Sequence, residues 1–153
     1  MKSISADVAI TAAKSEDLSE ILALLEDCQL PKEGLATHLT TTLVARKGKE
    51  IAGCSALELY QEHALLRSVA VKPSFRNQGL AMNLAKAALD LAKSKKVTNI
   101  YLLTETARTF FSKLGFVEVR RSNAPENIKR SAEFITLCPD TATVMTRSLI
   151  GNN

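Results

Sequence analysis

The sequence predicts a mixed α/β (α+β) fold, a central sheet of about six to seven strands flanked by helices. Three observations carry this. Aliphatic stretches of strand length, Ile51 to Tyr60 and Ala64 to Val71, are followed by a segment whose apolar residues Leu80, Leu84, Ala88 and Leu91 recur at helical period. The turns Lys47-Gly48-Lys49 and Gln61-Glu62-His63 link three strand-like stretches into an antiparallel meander. The order strand, helix, meander, helix, strand, helix, strand then calls for parallel and antiparallel neighbours in one sheet. With 153 residues, 46% hydrophobic and 24% charged, residues 1–153 are expected to form one domain around one core.

Taken in order, Val8 and Ile10 alternate with small or polar neighbours as a short strand does, and Ser15 is a candidate helix cap. Leu18, Ile21, Leu22, Leu25 and Cys28 share one helical face, and that helix should stop before Pro31. Gly34, Leu35 and Leu39 mark a short turn or helix before the strand Thr41 to Arg46. The helix through Lys93 is followed by a buried strand at Thr98 to Thr104. A second helix covers Thr106 to Leu114, ended by Gly115 in a left-handed cap. Val117 and Val119 open another strand, and Thr143 to Thr146 supply the last. Asn123 to Leu137 is the least legible part, with a helix expected from Pro125 onward.

Composition narrows the function classes. The longest apolar stretches span a few residues, far below the roughly 20 that a membrane helix needs, and the N-terminus lacks a secretory pattern, so a cytoplasmic protein is expected. Cys28, Cys54 and Cys138 contain no CxxC pair, and neither a disulfide framework nor a metal site is expected. A net charge of +4 suits an anionic partner. Nucleic acid is not the expected one, because no basic run exceeds Lys95-Lys96 and the aromatics are few. A polyanionic cofactor accounts for the charge equally well.

The sharpest constellation is the strand Leu66-Arg67-Ser68-Val69-Ala70-Val71, then Lys72-Pro73, then Arg76-Asn77-Gln78-Gly79-Leu80-Ala81 opening a long helix. Unpaired backbone N–H groups and the positive end of the helix dipole favour a pyrophosphate there, with Gly79 and Ala81 keeping bulk away. The pattern is neither GxGxxG nor GxxxxGK[ST], which disfavours a dinucleotide fold and a P-loop. Arg76-x-x-Gly79-x-Ala81 after Val69-Ala70-Val71-x-Pro73 resembles the acetyl-CoA signature of GNAT acetyltransferases. A second block, Thr104 to Phe116, is similar to that family's Asn-x-x-Ala followed by Tyr-x-Lys-x-Gly-Phe. Leu66-Arg67-Ser68, Thr104 to Phe111 and Glu133-Phe134 with Leu137-Cys138-Pro139 look most like the family's arsenic-resistance enzymes.

The resemblance implies an acetyl-CoA-dependent N-acetyltransferase that acts on a small-molecule amine by direct transfer and releases CoA. Backbone groups of Val69 and Val71 would hold the pantetheine arm, those of Arg76, Asn77, Gln78, Gly79, Leu80 and Ala81 the pyrophosphate, and Thr104 and Phe111 would border the cofactor. The Val69 N–H would polarise the thioester carbonyl. No membrane partner is implied, and a homodimer is compatible with the chain.

Two positions depart from the family pattern. Phe111 stands where many relatives have a Tyr that protonates the CoA thiolate, and phenylalanine has no such proton. Ser112, Tyr101 and Cys138 are neighbouring alternatives in sequence, and a module that binds acetyl-CoA without efficient catalysis is the competing reading. Strand alternation puts Leu65, Arg67, Val69 and Val71 on one face, so Arg67 either pairs with Glu58 or anchors an anionic group of the substrate, such as an amino acid or an anionic analogue. Arg120 and Arg121 can add to an anionic pocket or simply be solvated. Glu58, Glu105 and Glu133 are the candidate bases, with Glu58 placed first and the other two expected on solvated helix faces.

Overall fold

Alternating aliphatic residues form seven strands: β1 (Ala9–Ala12), β2 (Thr42–Lys47), β3 (Glu50–Tyr60), β4 (His63–Val71), β5 (Asn99–Thr104), β6 (Val117–Val119) and β7 (Thr143–Ser148). In the computed structural model, which describes residues 8–137 and 141–150, they make one sheet in the order β1-β2-β3-β4-β5-β7-β6. The meander is antiparallel, β5 lies parallel to β4, and β7 returns antiparallel between β5 and β6. Among the described residues no helix is long and apolar enough to cross a membrane.

The helical-period segments become α1 (Leu18–Asp27) and α2 (Leu80–Ser94), and the second block becomes the short α3 (Arg108–Ser112). The segment after Pro125 is two short helices, α4 (Glu126–Lys129) and α5 (Ala132–Thr136), the second capped by Ser131, whose hydroxyl accepts the Glu133 N–H. Ser15 is not the cap of the first helical segment: it is the first residue of a 3₁₀ turn, Ser15–Asp17, with Lys14 at the cap position. Asp17, the third residue of that turn, reaches back to accept the Lys14 N–H at 2.8 Å and pairs with Arg46. Burial works against its ionisation, yet the Lys14 amide and Arg46 hold the Asp17 carboxyl below its ordinary value.

Because successive strand residues point to opposite faces, the sheet has two distinct coats. On one face α2 packs Ala85, Ala88, Leu89 and Ala92 on Leu57, Leu66, Ile100 and Leu102. On the other, α1 packs Ile21, Leu24 and Leu25 on Val44, Cys54, Ala56 and Ala70, while Ile128 and Phe134 of the last two helices cover Leu65 and Leu103.

Two irregularities in β4 shape what lies between these coats. Ser68 and Val69 together stand opposite the single residue Ser55, and Ser68 takes a φ of +62°. This is a β-bulge, which leaves one residue without a ladder partner and shifts the alternation by one. Further, β4 pairs with β5 only over His63–Leu65 and Asn99–Tyr101, so the two strands diverge from Leu66 onward while β5 stays bonded to β7.

Candidate active site

The divergence of β4 from β5 leaves a cleft through the sheet, and a cavity of about 630 Å³ fills it. One wall is the edge of β4 from Leu66 to Val71, and the other is Leu102 to Ala107 with Phe110 and Phe111. The Lys72 N–H donates to Ala52 O at 2.8 Å, which makes Lys72 and, by alternation, Ala70 the residues bonded to β3. Val71, between them, turns its own N–H and C=O toward the cleft. Its carbonyl accepts the Arg76 Nε–H at 3.0 Å, and the Cys28 thiol lies 3.8 Å away. Val69 lies in the bulge on the same edge, packed toward the α2 coat.

Beyond Val71 the chain passes through a 3₁₀ turn, Pro73–Phe75, and then reaches α2 through two left-handed residues, Asn77 (φ +64°) and Gly79 (φ +80°). Gly79 is needed there for its φ, and the space where its Cβ would lie is open, with nothing within 4 Å. The first helical bond runs from the Asn83 N–H to Gly79 O, so the N–H groups of Leu80, Ala81 and Met82 have no partner within the helix. They face a second hollow of about 410 Å³ that Val71, Arg76, Asn77 and Gly79 also line. The cleft therefore continues into a nest of backbone donors at the positive end of a helix of 15 residues.

Arg67 corrects the sequence expectation. The bulge at Ser68 removes it from the face of Val69 and Val71 and turns it toward α5 and the loop before β2. There it is no open anion fork: its side chain is fully buried, with Nη1 2.8 Å from Glu58 Oε2 and 2.7 Å from Glu33 O, Nη2 3.0 Å from Pro31 O, and Nε 3.0 Å from Ser68 Oγ. The loop comes this close because Gly34 has a φ of +83°, and a Cβ there would meet Ala132 at 3.0 Å. Glu58 is likewise closed. It accepts the Tyr60 hydroxyl at 2.5 Å as well as Arg67, and it does not line the cavity, so the order of candidate bases that put Glu58 first is wrong for this geometry. Burial, then the bond to Glu58, pushes the Tyr60 hydroxyl pKa up.

Comparison with known proteins decides the family. The acetyltransferase (GNAT) domain model matches residues 38–118, which include the bulged strand, the left-handed turn and α2. The chain belongs to the GNAT family. An uncharacterized N-acetyltransferase of Chlorobaculum tepidum is 27% identical over 143 aligned positions, covering 88% of this chain and 90% of that protein. The amino-acid acetyltransferase of Aliivibrio fischeri is 26% identical, covering 82% of this chain and 31% of that protein. Among solved structures, N-acetylglutamate synthase from Neisseria gonorrhoeae, complexed with coenzyme A and L-arginine, superposes with a TM-score of 0.78 at 21% identity over 94% of this chain and 33% of that one. That likeness is one of fold, and the chain spans about a third of the length of the Aliivibrio and Neisseria proteins. As a GNAT enzyme the protein is an acetyl-CoA-dependent N-acetyltransferase.

The cleft fits such a donor: an unpaired strand edge suits an amide-bearing arm, and the donor nest with open space at Gly79 suits a pyrophosphate. The remaining GNAT positions divide clearly. Thr104, in place of the family Asn, accepts the Ala107 N–H at 2.9 Å and fixes the turn into α3. Phe111 is buried edge-on between Phe110 and Phe116 at the cavity wall. Ser112 is exposed, Tyr101 stacks edge-on with His63, and Cys138 lies outside the described residues. Arg120 is exposed, whereas Arg121 clamps α5 by donating to Phe134 O at 2.6 Å and lying 4.4 Å over its ring. Glu105 is solvated and accepts the Thr141 hydroxyl.

Glu133 is not on the solvated helix face that the sequence predicts for it. It is 3% exposed, lines the cavity beside Arg67 and Ser68, and burial pushes its carboxyl up to about 7 against the opposing pull of Arg67. The Ser131 cap two residues earlier and the apolar Phe134 beside it are the sequence signals for a short docked helix, but only the tertiary packing shows which face is covered.

Proposed function

We propose that residues 1–153 form a single domain that transfers the acetyl group of acetyl-CoA directly to the amine of a small molecule, an amino acid or an anionic analogue of one. The observation that carries this is the strand edge at Val69 and Val71, open where β4 leaves β5 and continuous with the left-handed turn at Asn77 and Gly79. The main chain of Val69 and Val71 binds the pantetheine amides as an added strand would. Backbone N–H groups of Asn77, Gln78, Gly79, Leu80 and Ala81 hold the pyrophosphate beside Arg76, whose own N–H donates to Pro73 O at 3.3 Å, and Thr104 and Phe111 border the thioester from the opposite wall. Bound there, the donor supplies an activated thioester; the Val69 N–H takes up the charge that develops on its carbonyl oxygen.

The cleft passes through the sheet, so donor and acceptor reach it from different coats. Val69, Val71 and Phe111 lie on the α2 and α3 side, while Pro31, Arg67 and Glu133 lie on the side of α5. An amino-acid acceptor is supported by the likeness to an amino-acid acetyltransferase and not by Arg67, whose fork is taken by Glu58 and two carbonyls. The resemblance to arsenic-resistance enzymes extends the acceptor class to arsenic-containing amino-acid analogues. A CoA-binding module without efficient catalysis is the second reading, favoured by Phe111, which offers the thiolate no proton.

Mass spectrometry of products from acetyl-CoA with the standard amino acids and an arsenic-containing analogue tests both readings. An acetylated amino acid formed at a rate above the uncatalysed background supports transfer. CoA binding without any product supports the module, and no CoA binding overturns both.

A further inference from the structure

Three carboxylates stand near the cleft, and their partners differ. Glu58 is spent on Arg67 and Tyr60, and Glu105 is solvated beside Thr141. Glu133 is buried, yet among the described residues its carboxylate accepts no hydrogen bond; its Oε2 lies 3.6 Å from Arg67 Nε, beyond bonding distance, and it lines the same cavity as Val69. Its backbone is held on both sides. Ser131 caps its N–H at 3.1 Å, Ala132 packs against Gly34, and Arg121 grips Phe134. A rigidly placed carboxylate with unused acceptor capacity, facing the acceptor side of the cavity, is what removing a proton from an ammonium requires.

We propose that Glu133 is the catalytic base that takes the proton from the acceptor amine. The proposal rests on the acetyltransferase reading above. An ammonium group gives one proton to a Glu133 oxygen, and the freed nitrogen lone pair forms the N–C bond to the acetyl carbon. The C–S bond breaks, sulfur leaves with its electron pair and ends with the second nitrogen proton, and Glu133 returns its proton to water. The net reaction is ammonium plus thioester to amide, thiol and one proton.

The groups that face this carboxylate set when it can act. Arg67 of β4 favours the ionised form; Glu58 of β3 disfavours it. Tyr60 of β3 and His38 of the turn before β2 meet Glu58, with the His38 Nε2 at 3.9 Å from its Oε1. Cys28, Arg76 and Glu105 line the same cavity. Burial outweighs the pull of Arg67, so the base becomes ionised near neutral pH, where a general base works best.

The test compares an ammonium acceptor with one that is already neutral. Acetyl transfer to L-glutamate, then to the other standard amino acids, and to methoxyamine is followed for wild type and Glu133→Gln between about pH 5.5 and 9. Glu133→Gln should lower kcat/KM for the amino acid by about 100-fold or more and abolish the inflection near pH 7, with a loss at least about tenfold smaller for methoxyamine. CoA affinity should stay within about threefold. Equal losses for both acceptors, or an unchanged pH profile, overturn the assignment. If Glu133→Gln does not fold, Glu133→Asp, which withdraws the carboxylate by one methylene, must show the same split between acceptors. A wild type that binds CoA but acetylates neither acceptor refutes the enzymatic reading first, and the base with it.

Discussion

The two halves of β4 on either side of Ser68 are built on opposite terms. Before the bulge, Arg67 is a buried charge whose bonding is closed by Glu58, Ser68 and the carbonyls of Pro31 and Glu33. After it, Val69 and Val71 carry aliphatic side chains and leave main-chain groups on an open edge. The first half spends polar groups on holding the loop before β2 and α5 in place; the second leaves the Val69 main chain and the Val71 N–H on the cleft edge, with only the Val71 carbonyl taken, by Arg76. A charged residue in a strand is thus no guide to the binding surface, because burying a guanidinium demands partners, and the fold supplies them itself. Unpaired backbone beside plain valines is the better indicator.

If the first half is structural, breaking it should cost the most stability. Arg67→Met strands Glu58 beside an unpaired Glu133 and should destabilise by about 3–5 kcal/mol, or roughly 10 °C in melting temperature. Glu58→Gln and the double variant should reveal strong coupling in thermal denaturation. CoA affinity should barely move where the protein remains folded. Should Arg67→Met leave stability intact and instead raise KM for an amino acid, the closed half would have to be reopened as a substrate anchor.

Phe111 of α3 stands across the cleft from the open half, and its truncation should weigh on both properties. Phe111→Ala empties a site packed against Phe110 and Phe116 and should cost about 3 kcal/mol, with weaker CoA binding measured by calorimetry. Phe111→Tyr restores a proton donor; a rate increase above about tenfold would mean that departure of the thiolate limits turnover.

A smaller effect is expected from pH. The folded-state pKa of Glu133, near 7, is raised above its ordinary value of 4.5, so its ionisation subtracts stability. The stabilising protonated form is fully populated below that lower value and is lost as pH rises through about 7. Chemical denaturation should therefore show wild type losing about 1–3 kcal/mol relative to Glu133→Gln between about pH 5 and pH 8. Parallel curves would mean that Glu133 is ionised throughout or not buried.

The sheet and its two long helices were legible because hydrophobic period reports directly on which face is covered, as at Leu84, Ala88 and Leu91. The phosphate turn was legible from Gly79, whose φ of +80° few other residues tolerate. The bulge was not, since the residue at φ +62° is Ser68 and no glycine marks it, and missing it put Arg67 on the wrong face. The ranking of the carboxylates failed for a related reason. Glu58 and Glu133 differ in how their partners meet in space, and Pro31, Glu33 and Gly34, which close Arg67, are more than 30 positions away in sequence.

CoA titration calorimetry on wild type, Gly79→Asn and Gly79→Asp tests the main-chain donor site most directly. Asparagine tolerates the left-handed φ and aspartate differs from it mainly in charge, so the pair separates backbone strain from repulsion of a pyrophosphate. Gly79→Asn should bind CoA within about fivefold of wild type, while Gly79→Asp should lose at least about 100-fold, or 2.7 kcal/mol. Binding by Gly79→Asp within about threefold of wild type would contradict a pyrophosphate at this turn, and the assignment of the donor to the open half of β4 would fall.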